Sequence, residues 1–188
     1  QIAPSELTSD SEFLRRVYLD SIGVLPTVDE AREFLNADAV KKNVRAALID
    51  DLLARQEYAE FQSLLWADLL RVKSSKLGEA GVHKFHQWLV RSVRDNKPFD
   101  EFTRELLTAT GSTFDNPPAA FFRATSDPNG LSEATSQLFL GIRIQCARCH
   151  NHPFERWTQN HYYGMGAFFS RVRVRDGAAP DEKVVWLA

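Results

Sequence analysis

The chain has 188 residues, of which 44% are hydrophobic and 26% charged, a composition that suffices for one large domain and differs from that of a disordered protein. Its formal net charge of −2 lacks the basic excess typical of nucleic-acid-binding proteins. The sequence contains no run of 18 apolar residues, so it predicts no membrane span.

Apolar residues recur mostly at helical spacing, which predicts a mainly α-helical, multi-helix single domain. Asp10 or Ser11 is expected to cap the first helix, and Gly23 to end it. Thr27 followed by Glu30 is typical of a capping box, which opens the second helix. The predicted helices cover about residues 10–23, 27–37, 41–54, 58–71, 83–95, 99–109, 132–140 and 158–169.

Other parts of the chain lack the helical pattern. Two glycines and polar residues predict a loop at 74–81, and Ser132 is expected to cap the helix that follows the proline-rich stretch. Alternating arginine and valine predict an extended segment at 171–175, and the residues from Lys183 read as the start of a strand. The sequence therefore divides into a helical scaffold, a long irregular loop, a region that carries the cysteines and an extended tail, at 1–109, 110–131, 132–170 and 171–188.

Both cysteines of the chain lie in one short motif. Cys146, Cys149 and His150 form a C-x-x-C-H sequence, the pattern by which c-type haem is attached. Each thiol can form a thioether to the porphyrin, and the adjacent imidazole can ligate the iron as the proximal ligand. Two alternatives remain open, namely a disulfide or free thiols, and a zinc site completed by two of His150, His152 and His161.

The sequence around the motif is rich in aromatic residues. We expect Phe154, Trp157 and Tyr162 to line a haem, because a haem needs apolar walls. The same stretch also contains Tyr163, Phe168 and Phe169, and its arginines could pair with haem propionates. These are Arg143, Arg148, Arg156 and Arg171.

The sequence offers several candidates for the remaining iron ligand. Met165 is the only methionine, and His161 would give a bis-histidine site. His83 and His86 could approach from another helix. An iron with an open sixth position is a further possibility. The carbonyl of Pro153, or a neighbouring one, is expected to accept the imidazole N–H of His150 and fix its tautomer.

The segment 132–159 resembles a cytochrome-c-associated domain of unknown function that is abundant in planctomycetes. The similarity rests on Cys146-Ala-Arg-Cys149-His150-Asn-His152-Pro-Phe154. It extends to Phe13-Leu-Arg-Arg-Val-Tyr-Leu-Asp20, Gly23, Pro26, Asn116-Pro117-Pro118, Tyr162-Tyr163 and Ala167-Phe168-Phe169. The resemblance implies a large exported protein, often with a cytochrome c-like domain upstream and an uncharacterised domain downstream. It also implies that Cys146, Cys149 and His150 attach haem, and that His152 belongs to the same motif.

Three functions are compatible with these observations. The first is a c-type cytochrome domain with one covalent haem c that passes electrons to a partner protein or to a neighbouring domain of the same chain. The second is a haem enzyme with an open or weakly ligated iron, and the third a non-haem interaction module with a disulfide or zinc. Thioether attachment occurs outside the cytoplasm, so a periplasmic or otherwise extracytoplasmic location is expected. The abrupt chain ends suggest a segment of a longer protein.

Overall fold

The computed structural model describes residues 3, 6–37, 43–125 and 127–188, and it is mainly α-helical, which confirms the predicted fold class. Within the described ranges, the chain forms nine α-helices and a small three-stranded sheet, two strands of which lie at the C-terminal end. No described helix is long and apolar enough to cross a bilayer. The helices are Asp10–Ile22 (α1), Val28–Asn36 (α2), Val44–Leu53 (α3), Gln56–Leu69 (α4), Ser74–Arg94 (α5), Phe99–Thr108 (α6), Phe121–Ala124 (α7), Pro128–Phe139 (α8) and Gln159–Ala167 (α9).

The first two helices begin and end through local hydrogen bonds. Ser9, one residue earlier than expected, caps α1 by accepting the backbone N–H of Glu12. Gly23 ends α1 in a left-handed conformation, and a side chain there would collide with the ring of Phe61. The Thr27 capping box forms as predicted. The predicted third helix extended back to residues 41 and 42, which lie outside the described residues.

The loop predicted at 74–81 is wrong, since these residues form the start of α5. Leu77 is fully buried in the main core, and this burial stabilises the first turns of α5, which precede the helix start predicted at residue 83. Gly78 interrupts the helix with a φ of 71° and a ψ of 166°. Any Cβ at this position would overlap the carboxyl group of Asp181, so only glycine permits this close approach.

The loop predicted at 110–131 is only partly irregular, since α7 lies within it and α8 begins at Pro128, and its middle is buried. A short 3₁₀ turn at Pro117–Ala120 leads into α7, and Ala119, Ala120, Phe121 and Phe122 belong to the main core. The helix α8 begins at Pro128, with Asp127 as its N-cap, so the expected cap at Ser132 is wrong. Proline is tolerated at this first position because its missing N–H has no partner within the helix.

The C-terminal tail forms an antiparallel hairpin, where the sequence predicted one extended segment and the start of a strand. Its strands are Val172–Asp176 (β2) and Lys183–Leu187 (β3), and β3 also pairs with the two-residue strand Gly111–Ser112 (β1). Val185 is paired with Val174 and Gly111 and is buried in the main core. The sheet therefore attaches the end of the chain to the helical core.

Three hydrophobic clusters organise the described residues. The main core lies between α4, α5, α6, α7 and α8, and a smaller one joins α1 to α3. The third, which we call the motif cluster, contains buried Ile144, Ala147 and Tyr162, with Ile142, Trp157 and Met165 packed partly buried against them. The candidate site therefore rests on its own small cluster.

Replacing Glu30 with glutamine is expected to destabilise the protein only above acidic pH. Glu30 accepts hydrogen bonds from the Thr27 backbone N–H and hydroxyl and pairs with Arg55 at 2.7 Å. The Thr27 backbone hydrogen bond first, then the Thr27 hydroxyl and Arg55, lower the pKa of Glu30 to about 2. A lowered carboxyl pKa stabilises the fold above the unfolded-state value and ceases to do so as pH falls towards 2. We expect a loss of about 1–2 kcal/mol at pH 7 after allowance for partial exposure.

This loss should shrink between pH 4.5 and 2, as measured by urea denaturation at several pH values. Glu33→Gln is the matched control, since Glu33 lies exposed on the same helix and has no ion pair within the described ranges. An equal loss at all pH values would contradict the role given to the Glu30 charge.

Candidate functional site

The C-x-x-C-H motif occupies a single tight turn between α8 and α9. Residues Gln145–Arg148 form a 3₁₀ turn, in which the Ala147 N–H donates to the carbonyl of Ile144 at 2.9 Å. Ala147 is fully buried, whereas Cys146, Cys149 and His150 are exposed. The turn thus anchors itself by one small apolar side chain and presents two free thiols and an imidazole to solvent.

Tyr162 fixes the motif cluster to α8. Its ring is 1% exposed, and its hydroxyl donates to the carboxylate of Glu133 at 2.7 Å. Burial, and then the hydrogen bond to Glu133, raise the pKa of Tyr162 well above its usual value. The hydroxyl therefore stays protonated at physiological pH, and it links α9 to α8 beneath the motif.

Two side chains of α9 hold the backbone of the motif turn. The hydroxyl of Tyr163 donates to the Arg148 carbonyl at 3.1 Å, and the Gln159 side-chain amide donates to the same oxygen at 3.4 Å. This carbonyl belongs to the residue between Ala147 and Cys149. The position of the second cysteine is therefore set from outside the motif.

His152 stabilises the loop that follows the motif. Its Nδ1 accepts the backbone N–H groups of Phe154 at 3.3 Å and Glu155 at 3.0 Å, while the backbone N–H of His152 donates to the Trp157 carbonyl at 2.8 Å. The neutral ring must then carry its proton on Nε2. His152 is thus engaged in local structure, although sequence reasoning had grouped it with the motif histidines.

The two candidate sixth ligands also have structural contacts. Nδ1 of His161 accepts the Thr158 backbone N–H at 3.3 Å, and the Thr158 side chain accepts the His161 backbone N–H in return. His161 therefore completes a capping box at the start of α9, and only its Nε2 remains open to other partners. Met165 is partly buried in the motif cluster. The assignment of either residue to iron stays a prediction.

The remaining predicted site residues lie in different environments. Phe154 is 92% exposed, Trp157 is half-buried in the motif cluster, and Tyr162 lies beneath the turn. His83 and His86 lie on α5, which packs chiefly on α4. The His150 ring makes no hydrogen bond with any described residue, so the acceptor expected at Pro153 does not engage it.

The donor groups of the turn match those that covalent haem attachment requires. Haem c needs two accessible thiols in C-x-x-C spacing and the next imidazole, and all three are exposed on one turn. In the part of the chain that the structure describes, no three His, Cys, Asp or Glu side chains come together to hold a metal ion. The four ligands that structural zinc takes are thus not preassembled among these residues.

A family model described as PSCyt2, protein of unknown function (DUF1549), matches residues 1–174. The match covers the helical scaffold, the motif turn and α9. No curated protein and no solved structure matches the chain.

Proposed function

The chain belongs to the PSCyt2 family of proteins of unknown function, and from this premise we propose that it is a c-type cytochrome domain. Cys146 and Cys149 would attach one haem covalently, and His150 would ligate its iron. The domain would then pass electrons to a partner protein or to a neighbouring domain. The observation that carries the proposal is the joint exposure of both thiols and the imidazole on one anchored turn.

The attachment would consume only the two thiols and the vinyl groups of the haem. On binding of haem, the S–H of Cys146 and that of Cys149 would each add across one vinyl group, with the sulfur bonded to one vinyl carbon and the hydrogen transferred to the other. No oxidant or reductant is consumed. Because Ala147 and the Arg148 carbonyl are held in place, the two sulfur atoms are presented by a turn of fixed backbone.

His150 suits the role of proximal ligand because neither ring nitrogen is engaged by another described residue. His152 and His161, by contrast, each use Nδ1 to cap backbone amides. A bound haem would supply an iron that takes up and releases one electron. Exposed Phe154 offers an apolar contact close to the motif.

The proposal also implies a compartment, since thioether attachment takes place outside the cytoplasm. We accordingly propose a periplasmic or otherwise extracytoplasmic location. Expression tests must respect this requirement, because cytoplasmic expression without the attachment machinery would give apoprotein whatever the native state is.

The decisive experiment is periplasmic expression of this chain together with cytochrome c maturation proteins. We expect an intact mass that exceeds the polypeptide by one haem, and a pyridine haemochrome spectrum of a haem linked by two thioethers. A known c-type cytochrome expressed in the same cells is the positive control. A polypeptide mass without haem in cells that mature the control would refute the proposal.

Spectra of the oxidised and reduced forms then separate electron transfer from haem catalysis. Low-spin iron in both states supports electron transfer, whereas a high-spin ferric form favours an enzyme with an open iron position. His161→Ala and Met165→Ala test the sixth ligand, because loss of the low-spin spectrum in one variant alone would identify that residue.

A further inference from the structure

The charge of the chain is unevenly distributed along the sequence. Residues 140–175 contain six arginines, no lysine and a single acidic residue, Glu155. The rest of the chain holds 17 basic and 24 acidic residues, from totals of 23 and 25. The motif region is therefore strongly basic within a protein whose net charge is negative.

Three of these arginines lie within or close to the motif turn in the chain. Arg143 precedes Ile144 of the motif cluster, Arg148 follows Ala147, and the guanidinium of Arg156 lies over the ring of Trp157 at 5.1 Å. All three side chains are exposed. None of them pairs with a carboxylate among the described residues, although eight ion pairs form elsewhere in that part of the chain.

Among the described residues, the carboxylates near the turn form no ion pair with these arginines. The Glu133 carboxylate accepts the buried hydroxyl of Tyr162, and Glu155 is exposed and makes no ion pair with a described residue. Two exposed aromatic residues belong to the same region: Phe154, two residues before Arg156, and Tyr163, which is 52% exposed and donates to the Arg148 carbonyl. We call this set the motif surface: Arg143, Arg148, Phe154, Arg156 and Tyr163.

The remaining arginines of the stretch are engaged within the sheet. Arg171 donates to the Ala188 carbonyl, and Arg173 donates to the carbonyls of Ser170 and Val172 at 2.8 and 2.9 Å. Arg175 lies over the ring of Trp186 at 5.7 Å. These three residues carry the same charge as the motif arginines and form a natural control set.

Protein interfaces are enriched in arginine and aromatic residues and depleted in lysine and acidic residues, as the motif surface is. A nearly fully exposed phenylalanine two residues from an arginine without an ion pair is suited to act as an apolar anchor beside a charged group. We propose that the motif surface is the docking site of an acidic protein partner. That the partner is a redox protein rests on the proposed function, whereas its negative charge rests on the arginines alone.

A protein partner fits the charge pattern better than a long polyanion does. The excess of basic over acidic groups is confined to one stretch of the chain, so an extended nucleic acid or an anionic membrane would also meet the remainder, where acidic groups are in excess. A compact acidic surface can contact the three arginines and leave that remainder free. Complementary charge of this kind speeds association and selects the partner.

Binding of the haem-free Cys146→Ser/Cys149→Ser protein to immobilised poly-L-glutamate tests the surface without any dependence on haem. We expect R143Q/R148Q/R156Q to weaken binding about tenfold at low salt, and R171Q/R173Q/R175Q to weaken it less than about threefold. Both variants lose the same net charge. Because Arg156 packs on Trp157, R143Q/R148Q serves as a variant that leaves the motif cluster intact.

Equal weakening in the two triple variants would overturn the proposal, as would tighter binding to a single-stranded oligonucleotide or to anionic vesicles than to poly-L-glutamate. In the haem-loaded protein, oxidation by anionic ferricyanide should slow in R143Q/R148Q and change little in R173Q/R175Q, a pair that loses the same charge. If no haem attaches, the poly-L-glutamate result still decides whether the docking surface exists.

Discussion

Replacing both Cys146 and Cys149 with serine is expected to abolish covalent haem attachment while leaving the fold intact. Serine has nearly the same shape as cysteine, but its hydroxyl does not add to a vinyl group as a thiol does. Both positions are exposed, so the substitutions remove no core packing. We expect intact mass spectrometry to give the polypeptide mass alone and the haemochrome absorbance to disappear after denaturation and extraction. The thermal midpoint of the haem-free protein should move by less than about 2 °C.

The single variants and a neighbouring control sharpen this prediction. Cys146→Ser or Cys149→Ser leaves one thioether, which should shift the haemochrome band and lower the yield of attached haem. Gln145→Ala alters an exposed residue directly before the motif and should attach haem as the natural sequence does. Because the chain contains no other cysteine, covalent haem in the double variant would contradict thioether attachment altogether.

His150→Ala separates attachment from ligation. With both thiols present, the haem mass should remain, but the low-spin spectrum should be lost because the imidazole nitrogen is absent. An unchanged spectrum in this variant would assign the proximal ligand to another residue. A retained haem mass together with a lost low-spin spectrum would show that the thiols attach the haem and that His150 is its axial ligand.

Features of the fold that depend on neighbouring residues were predictable from the sequence. The Thr27 and Glu30 capping box and the glycine end of α1 form from residues three to five apart, so the pattern contains the whole interaction. The extra turn of α5 was missed because it depends on the burial of Leu77 and on the approach of Asp181 to Gly78. No window of the sequence around residue 78 contains that contact.

The candidate site shows the same division between local and distant effects. The C-x-x-C-H motif can be recognised in the sequence, but the sequence does not reveal that Ala147 is buried and the cysteines are exposed. In the sequence, the aromatic residues near the motif form one group of candidate haem contacts. In the structure, Phe154 is exposed to solvent, whereas Tyr162 lies under the turn and donates to Glu133, which is 29 residues away. His161 offered a signal that was missed, because Thr158 three residues earlier already suggested a capping pair.

Tyr162→Ala is expected to cause the largest loss of stability at the site, about 3–5 kcal/mol, the range for removal of a large buried aromatic ring. The substitution empties the centre of the motif cluster and leaves the Glu133 carboxylate without its donor. Tyr163→Ala is the matched control, since Tyr163 is the next residue on the same helix and is half exposed; it should cost no more than about 1 kcal/mol. Urea denaturation of the haem-free proteins measures both values.

The effect of Tyr162 should reach the motif backbone, because Ile144 and Ala147 pack on this ring. The Ala147 N–H, bonded to the Ile144 carbonyl, should therefore exchange with deuterium much faster in Tyr162→Ala than in Tyr163→Ala. Tyr162→Phe retains the ring and removes only the hydroxyl, so it should cost about 1–3 kcal/mol and leave Ala147 protected. Equal exchange in all three variants would mean that the turn keeps its shape without the motif cluster. In that case the presentation of the two thiols would depend on the contacts of Arg148 alone, and Tyr163→Ala rather than Tyr162→Ala should lower the yield of attached haem.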